Sequence, residues 1–395
     1  MDWTVNIKDF GPFNNVTLEI KPLTVIIGKN SLGKSLLLRL LWCLSSAEPD
    51  YRSLVLNLEI SKLKDQVKEY SKSYIKAFSL SLIKGAENRI KEIFGKIEGE
   101  ISLSSRLVNI TVSPNGRMTP PLDELIYVEV GGNLPLHLKL KFGDLENSEY
   151  VRTKEDLDDF LFTTLTYFVY SSFTPFFQPD VVFLIDGRAG LTRIPQAIKV
   201  AQDAITRDYI SSYTSLLEEF HRGNVKVDKE LFEELGFSLK VVDEGGVKTP
   251  YVEMWNGITL PLSEAPSGIR EVLPIALALG SRSTPVVYIE EPEAHLHPRA
   301  QKVVAKAVSR AVNDGKYVLF TTHSDYLLYS LSNLITMSRK DKNGLRPDKV
   351  AVYLLKRDGN YTKVERVKVD EDGISEDEFT KVAEELLDER GSAYE

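Results

Sequence analysis

The order of apolar and polar positions along the chain sets out its elements before any single residue is considered. Leu23-Thr-Val-Ile-Ile27, Val181-Val-Phe-Leu-Ile185, Pro285-Val-Val-Tyr-Ile289 and Tyr317-Val-Leu-Phe-Thr321 are short apolar runs rich in β-branched residues, and they predict buried strands. Val350 to Leu355 predicts another strand, and Asp358-Gly359 signals a hairpin into Tyr361 to Val369. Alternating patterns predict strands at Arg106 to Val112 and Leu136 to Phe142, and a strand pair at Ser238 to Val242 and Tyr251 to Met254 across Gly245-Gly246. Helical spacing runs through Leu36 to Leu44, residues 51 to 97, and Leu157 to Phe177. Two more helices are expected up to Leu235, and helices also separate the last three apolar strands. No heptad repeat is sustained, so long coiled-coil arms are not expected.

Composition narrows the class. A chain of 395 residues with 43% hydrophobic and 27% charged residues can bury a large core. No apolar run reaches the roughly 18 residues of a membrane span, and the polar start Asp2, Thr4 does not read as a secretory signal. Cys43 is the single cysteine, so neither an internal disulfide nor a zinc site is expected, and a cytoplasmic protein is the simplest expectation. The net charge of −8 is concentrated at one end: Arg366 to Glu395 hold 11 acids against 4 bases. Tyr51 to Lys96, by contrast, hold 10 bases against 5 acids, so the acidic total does not exclude nucleic acid.

The chemistry enters between the third strand and the first helix. Gly28-Lys29-Asn30-Ser31-Leu32-Gly33-Lys34-Ser35 fills every fixed position of G-x-x-x-x-G-K-[ST], with Leu36 opening the helical run. The glycines let successive N–H groups converge on a phosphate chain at the positive end of that helix. Lys34 is the candidate for the outer phosphates and Ser35 for Mg²⁺, so ATP and Mg²⁺ are the expected ligands. A second cluster follows the strand at 285–289, where Glu290 is the candidate metal-holding carboxylate and Glu291 the candidate general base. His323, at the end of the strand from Tyr317, is placed to sense the γ-phosphate.

This constellation resembles the ABC-type ATPases of the SMC, RecF and OLD group. The resemblance rests on Phe10-Gly-Pro-Phe13, on Leu23 to Asn30, on Ile289-Glu-Glu-Pro-Glu-Ala-His-Leu-His-Pro298 and on Thr321-Thr-His-Ser-Asp325. Pro266-Ser-Gly-Ile-Arg270 stands in place of the family signature: Ser267 and Gly268 match, while Ile269 and Arg270 depart from it. Glu290 replaces the usual Asp of the Walker B strand, Gln178 is the candidate Q-loop glutamine, and Ile185-Asp-Gly-Arg188 is similar to a family segment of unassigned role.

The resemblance implies an α/β P-loop core with a mixed sheet flanked by helices. Residues 1–50 and 180–365 would form that core, 51–179 a helical and strand insertion, and 366–395 an acidic segment. Within that segment Ser375 to Leu387 reads as amphipathic. The resemblance further implies a homodimer with ATP at the interface, Ser267 and Gly268 of one chain capping the nucleotide on Lys34 of the other. The function implied is an ATP-gated dimerising switch in DNA maintenance or defence, or a regulatory ATPase controlling a separate effector protein without binding DNA. Membrane transport is disfavoured because Ser267 lies 232 positions beyond Ser35. With 72 residues after His323, an appended Toprim nuclease is not expected, and Asp370-Glu-Asp372 reads as an acidic turn.

Overall fold

The computed structural model describes residues 3–50, 63–97, 99–113, 115–132, 135–191, 203–244, 247–341 and 344–375. The helical reading of 51–62, the amphipathic reading of 376–387 and the rest of the acidic segment lie outside the described residues. In chain order, β1 (Trp3–Phe10), β2 (Phe13–Ile20), β3 (Leu23–Gly28), α1 (Lys34–Ser45) and α2 (Leu63–Phe94) come first. Next are β4 (Glu100–Ser104), β5 (Asn109–Val112), β6 (Arg117–Thr119), α3 (Leu122–Leu125), β7 (Tyr127–Gly131), β8 (Leu136–Phe142), β9 (Leu145–Val151) and α4 (Lys154–Ser172). They are followed by β10 (Val181–Leu184), α5 (Arg188–Leu191), α6 (Ala204–His221), α7 (Lys229–Leu235), β11 (Phe237–Glu244), β12 (Val247–Met254) and β13 (Thr259–Pro261). The chain continues with α8 (Ser267–Gly280), β14 (Val286–Glu290), α9 (Pro298–Asn313), β15 (Tyr317–Thr321), α10 (Asp325–Met337), β16 (Val350–Asp358), β17 (Tyr361–Val367), β18 (Val369–Asp370) and β19 (Gly373–Ile374).

Two compact units result: Met1–Ile20 with Arg39–Val181, and Lys21–Leu38 with Val182–Glu395. In the first, the sheet order is β2-β1-β4-β5-β6, with every pairing antiparallel. Trp3, Val5 and Ile7 alternate into the core as a strand with one buried face requires, and the Trp3 ring meets Phe173 and Phe176 edge-on at 5.6 Å each. A separate meander, β7-β8-β9, pairs antiparallel throughout.

Two boundaries differ from the sequence expectation. The helix α4 starts at a capping box formed by Thr153 and Asp156 and stops at Ser172, not Phe177. Pro175 lacks an N–H and restricts the residue before it, so the helix cannot continue. The strand β5 begins at Asn109, not Arg106, because the Ser105 hydroxyl accepts the N–H groups of Leu107 and Val108 and holds a turn there.

The second unit is built on the sheet β10-β14-β15-β3-β16-β17. The pairs β14–β15, β15–β3 and β3–β16 are parallel, and β17 closes the sheet antiparallel to β16. All five residues of β14 are buried, as are the first five of β3 and the last four of β15. Such strands are covered on both faces, which is why they read as unbroken apolar runs. The expected α/β core with a mixed sheet flanked by helices is therefore the fold observed.

Parallel pairing puts the carboxyl ends of β14, β15 and β3 on one edge. A tight point on that edge is Gly28, paired with Leu355 and held at φ +140°. A β-carbon there would lie 2.6 Å from the Leu355 carbonyl oxygen. Gly28→Ala is expected to cost at least about 1–3 kcal/mol in backbone strain alone. It should lower the melting temperature and weaken nucleotide binding together, a pairing that calorimetry and a fluorescent-nucleotide titration can check.

Candidate functional site

The loop from Gly28 to Ser35 leaves the end of β3 and enters α1 at Lys34. Gly28, Ser31 and Gly33 all have positive φ (140°, 65° and 89°), the alternation that turns consecutive N–H groups toward one side. Lys29, Asn30 and Ser31 are exposed, while Leu32, Gly33, Ser35 and Leu36 are half-buried. The Thr362 hydroxyl, on β17, donates to the Leu32 carbonyl at 3.1 Å and braces the loop from behind. Lys34 is buried, and its ammonium donates to the Lys29 carbonyl at 2.9 Å, a bond an incoming phosphate oxygen can replace. Burial pushes the Lys34 amine below its ordinary value, and the charges of Glu291 and Glu293 oppose that shift.

The carboxylates stand two strands away, at the end of β14. Glu290 is almost fully buried, and its Oε2 accepts the Asp186 N–H at 3.2 Å. Glu291 turns out of the sheet at φ 46°, an uncommon conformation for a residue with a β-carbon. Its N–H donates to the Thr321 carbonyl at 3.1 Å, and its carboxylate, 38% exposed, lies 3.7 Å from His323 Nε2. Burial, then the Lys34 charge, lowers the His323 pKa, with Glu291 opposing; the imidazole is therefore neutral at neutral pH. Lys34, Glu291 and His323 thus occupy one electrostatic neighbourhood, drawn from the start of α1 and the ends of β14 and β15.

Glu293 joins them, although no role is legible for it in the sequence. Its Oε1 accepts the His323 N–H at 2.7 Å, while its buried Oε2 makes no hydrogen bond. Burial raises its pKa, with the His323 N–H acting the other way. Its spacing two residues after Glu291 was the available signal, but the burial that makes it unusual is a tertiary property.

The residues of the Pro266–Arg270 segment divide sharply. Ser267 is exposed and Gly268 half-exposed at the start of α8, whereas Ile269 and Arg270 are buried. A β-carbon on Gly268 would meet the His295 carbonyl oxygen at 3.3 Å. Arg270 donates to the Ala265 carbonyl at 2.8 Å and also to that of Ala189. The two departures from the family signature are therefore inward-facing residues. Gln178, in the other unit, is buried and donates its amide to the Tyr170 and Phe176 carbonyls, at 3.1 and 3.0 Å. Asp372 and Glu371, at the acidic turn, pair with Arg339 at 2.8 and 3.4 Å. Among the described residues no cluster of three or more His, Cys, Asp or Glu side chains is arranged to hold a metal alone.

A glycine loop between a buried parallel strand and a helix, facing acidic strand ends, defines a P-loop nucleotide-binding protein. The sequence matches the family described as AAA ATPase domain over residues 3–139 and 144–328, and the chain belongs to that family. Among curated proteins none matches. Among solved structures, an SmcHead bound to the C-winged helix domain of ScpA is 12% identical, with a TM-score of 0.47 over 92% of this chain and 97% of that one. The SMC head domain from Thermotoga maritima is 11% identical, with a TM-score of 0.39 over 93% and 99%. An Smc head domain with an extended coiled coil, bound to the C-terminal domain of ScpA derived from Pyrococcus furiosus, is 12% identical, with a TM-score of 0.42 over 97% and 98%. These are likenesses of outline, from which no activity is read.

The charge arrangement gives a titration with a definite sign. Lys34→Ala removes a positive neighbour and some burial, so the His323 midpoint should rise toward the ordinary histidine value. Glu291→Gln removes the opposing negative charge, so the midpoint should fall further. Proton NMR of the five histidines, assigned with His323→Gln, measures both; shifts of the same sign in the two variants would contradict this electrostatic account.

Proposed function

We propose that the chain binds and hydrolyses ATP as a nucleotide-gated dimerising switch. The observation that carries this reading is the convergence of Lys34, Glu291 and His323 at one edge of the sheet, beside the positive-φ loop. In the proposed reaction, loop N–H groups and the Lys34 ammonium hold the phosphates. Mg²⁺, when bound by Ser35 and Glu290, supplies positive charge to the phosphate oxygens. Glu291 takes a proton from a water whose oxygen attacks the γ-phosphorus. The bond from that phosphorus to the bridging β–γ oxygen breaks, yielding ADP and phosphate. His323, neutral and adjacent, donates a hydrogen bond to a γ-phosphate oxygen and so registers its presence.

The dimer part of the proposal rests on α8. Ser267 is exposed and Gly268 half-exposed at its start, in keeping with a role in capping nucleotide on a second copy of the chain. ATP then holds two chains together and hydrolysis releases them. No helix among the described residues is long and apolar enough to cross a membrane, and a cytoplasmic setting is part of this proposal.

The DNA side of the proposal rests on α2. Lys68, Lys72 and Lys76 are exposed at four-residue intervals, which places them about 6 Å apart along one helix face. The sequence points to Lys62, Lys64, Lys68 and Lys72 as phosphate contacts; Lys62 and the side chain of Lys64 lie outside the described residues, and Lys76 is added from the helix geometry. The competing reading is regulation of a separate effector protein with no DNA contact.

Light scattering of Glu291→Gln tests the switch. A mass that doubles only with Mg-ATP is expected; a mass indifferent to nucleotide would remove the switch. Turnover in the same variant should drop about 100-fold or more, and undiminished turnover would remove Glu291 as base. Replacing Lys68, Lys72 and Lys76 with alanine should weaken DNA binding and flatten its salt slope by about three. Unchanged affinity would leave the effector reading in its place.

A further inference from the structure

The Ile185-Asp-Gly-Arg188 segment had no legible task in the sequence, yet it supplies one of the most completely buried charges in the unit. Arg188 and Glu271 both have 0% side-chain exposure, and Arg188 Nε lies 3.0 Å from Glu271 Oε2. The guanidinium also donates to four carbonyls. Nε reaches that of Glu271 at 3.0 Å, and Nη1 reaches those of Ile185 at 2.9 Å and Glu290 at 2.7 Å. Nη2 reaches that of Glu291 at 3.1 Å. Glu271 Oε1 accepts the Ala189 N–H at 3.2 Å, so the pair is stitched to both neighbouring segments.

A buried ion pair is a poor device for stability alone, because desolvating two charges offsets most of their attraction. What this pair has is geometry. One planar fork fixes two consecutive carbonyls, Glu290 and Glu291, at the point where the chain enters a left-handed turn. With the Glu291 N–H held by Thr321, the peptide groups on both sides of that residue are fixed. The second anchor is α8. Glu271 and Arg270 directly follow Ser267-Gly268-Ile269, and both bind the 185–190 segment.

We infer that Arg188 is a positioning residue for Glu291, and that the Arg188–Glu271 pair ties the segment bearing Ser267 to the segment bearing Glu291. The inference rests on the reading of Glu291 as the base. A contact made at Ser267 by another chain is transmitted through α8, Glu271 and Arg188 to the carbonyl of Glu291. A lysine at 188 would supply a charge but not a fork able to hold four carbonyls at once.

The test uses the full chain with Arg188→Lys, with the double variant Arg188→Met/Glu271→Met, and with Glu291→Gln alone and combined with the double variant. Paired apolar replacement leaves no unpaired buried charge, so the double variant should melt cooperatively and bind Mg-ATP within about threefold of the parent. Its kcat should fall about 100-fold, the penalty of a displaced reacting group, with KM little changed, and Arg188→Lys should not restore it. In the Glu291→Gln background the same pair should add less than about twofold, because residues acting through one another do not add. A folded double variant with kcat within about threefold of the parent, or losses that add in full, would overturn the positioning role while Glu291 kept its own. If Glu291→Gln itself lost no turnover, the base assignment and the positioning role would fall together.

Discussion

The parallel pairing of β14, β15 and β3 is the constraint from which the candidate site follows. Strands that run the same way end on the same edge, and in this order β15 separates the phosphate loop from the acidic cluster by one strand. At roughly 4.8 Å between neighbours, the ends of β3 and β14 are separated by about two strand spacings. A change of register in either pair would move one partner along the edge and separate Lys34 and His323 from the Glu291 charge that acts on both. The burial of these strands on both faces is what fixes the register.

The site's electrostatics show the same economy. Burial disfavours the charged forms of Lys34, Glu293 and His323, and the Glu291 charge opposes that effect at Lys34 and His323 while reinforcing it at Glu293. The lysine ammonium is folded onto its own loop, donating to the Lys29 carbonyl.

Much of this was legible in the sequence where the signal was contiguous. The eight-residue loop, the acidic strand end and the strand-end histidine are local patterns, and the buried strands betray themselves as unbroken apolar runs. The strand pairs at 237–254 and 350–367 were readable for the same reason. Arg188 and Glu293 were not, because their importance arises from what surrounds them in space. Arg270 looked like a departure from a motif until its guanidinium proved to be buried against Ala265 and Ala189. The strand β9 escaped because five of its seven residues are exposed and polar or aromatic, leaving no apolar alternation to read.

The Thr362 hydroxyl bonded to the Leu32 carbonyl has a consequence for how the chain is made. β3 is flanked in the sheet by β15 and β16, and its loop is braced from β17, so a segment from the first tenth of the sequence waits for partners from the last fifth. During synthesis the phosphate loop emerges early, as a flexible glycine-rich stretch between two apolar runs with nothing to pair against. The nucleotide pocket is therefore among the last features to become whole, completed only after the hairpin of β16 and β17 has left the ribosome. An incomplete chain consequently lacks the brace on its phosphate loop until the sheet has closed.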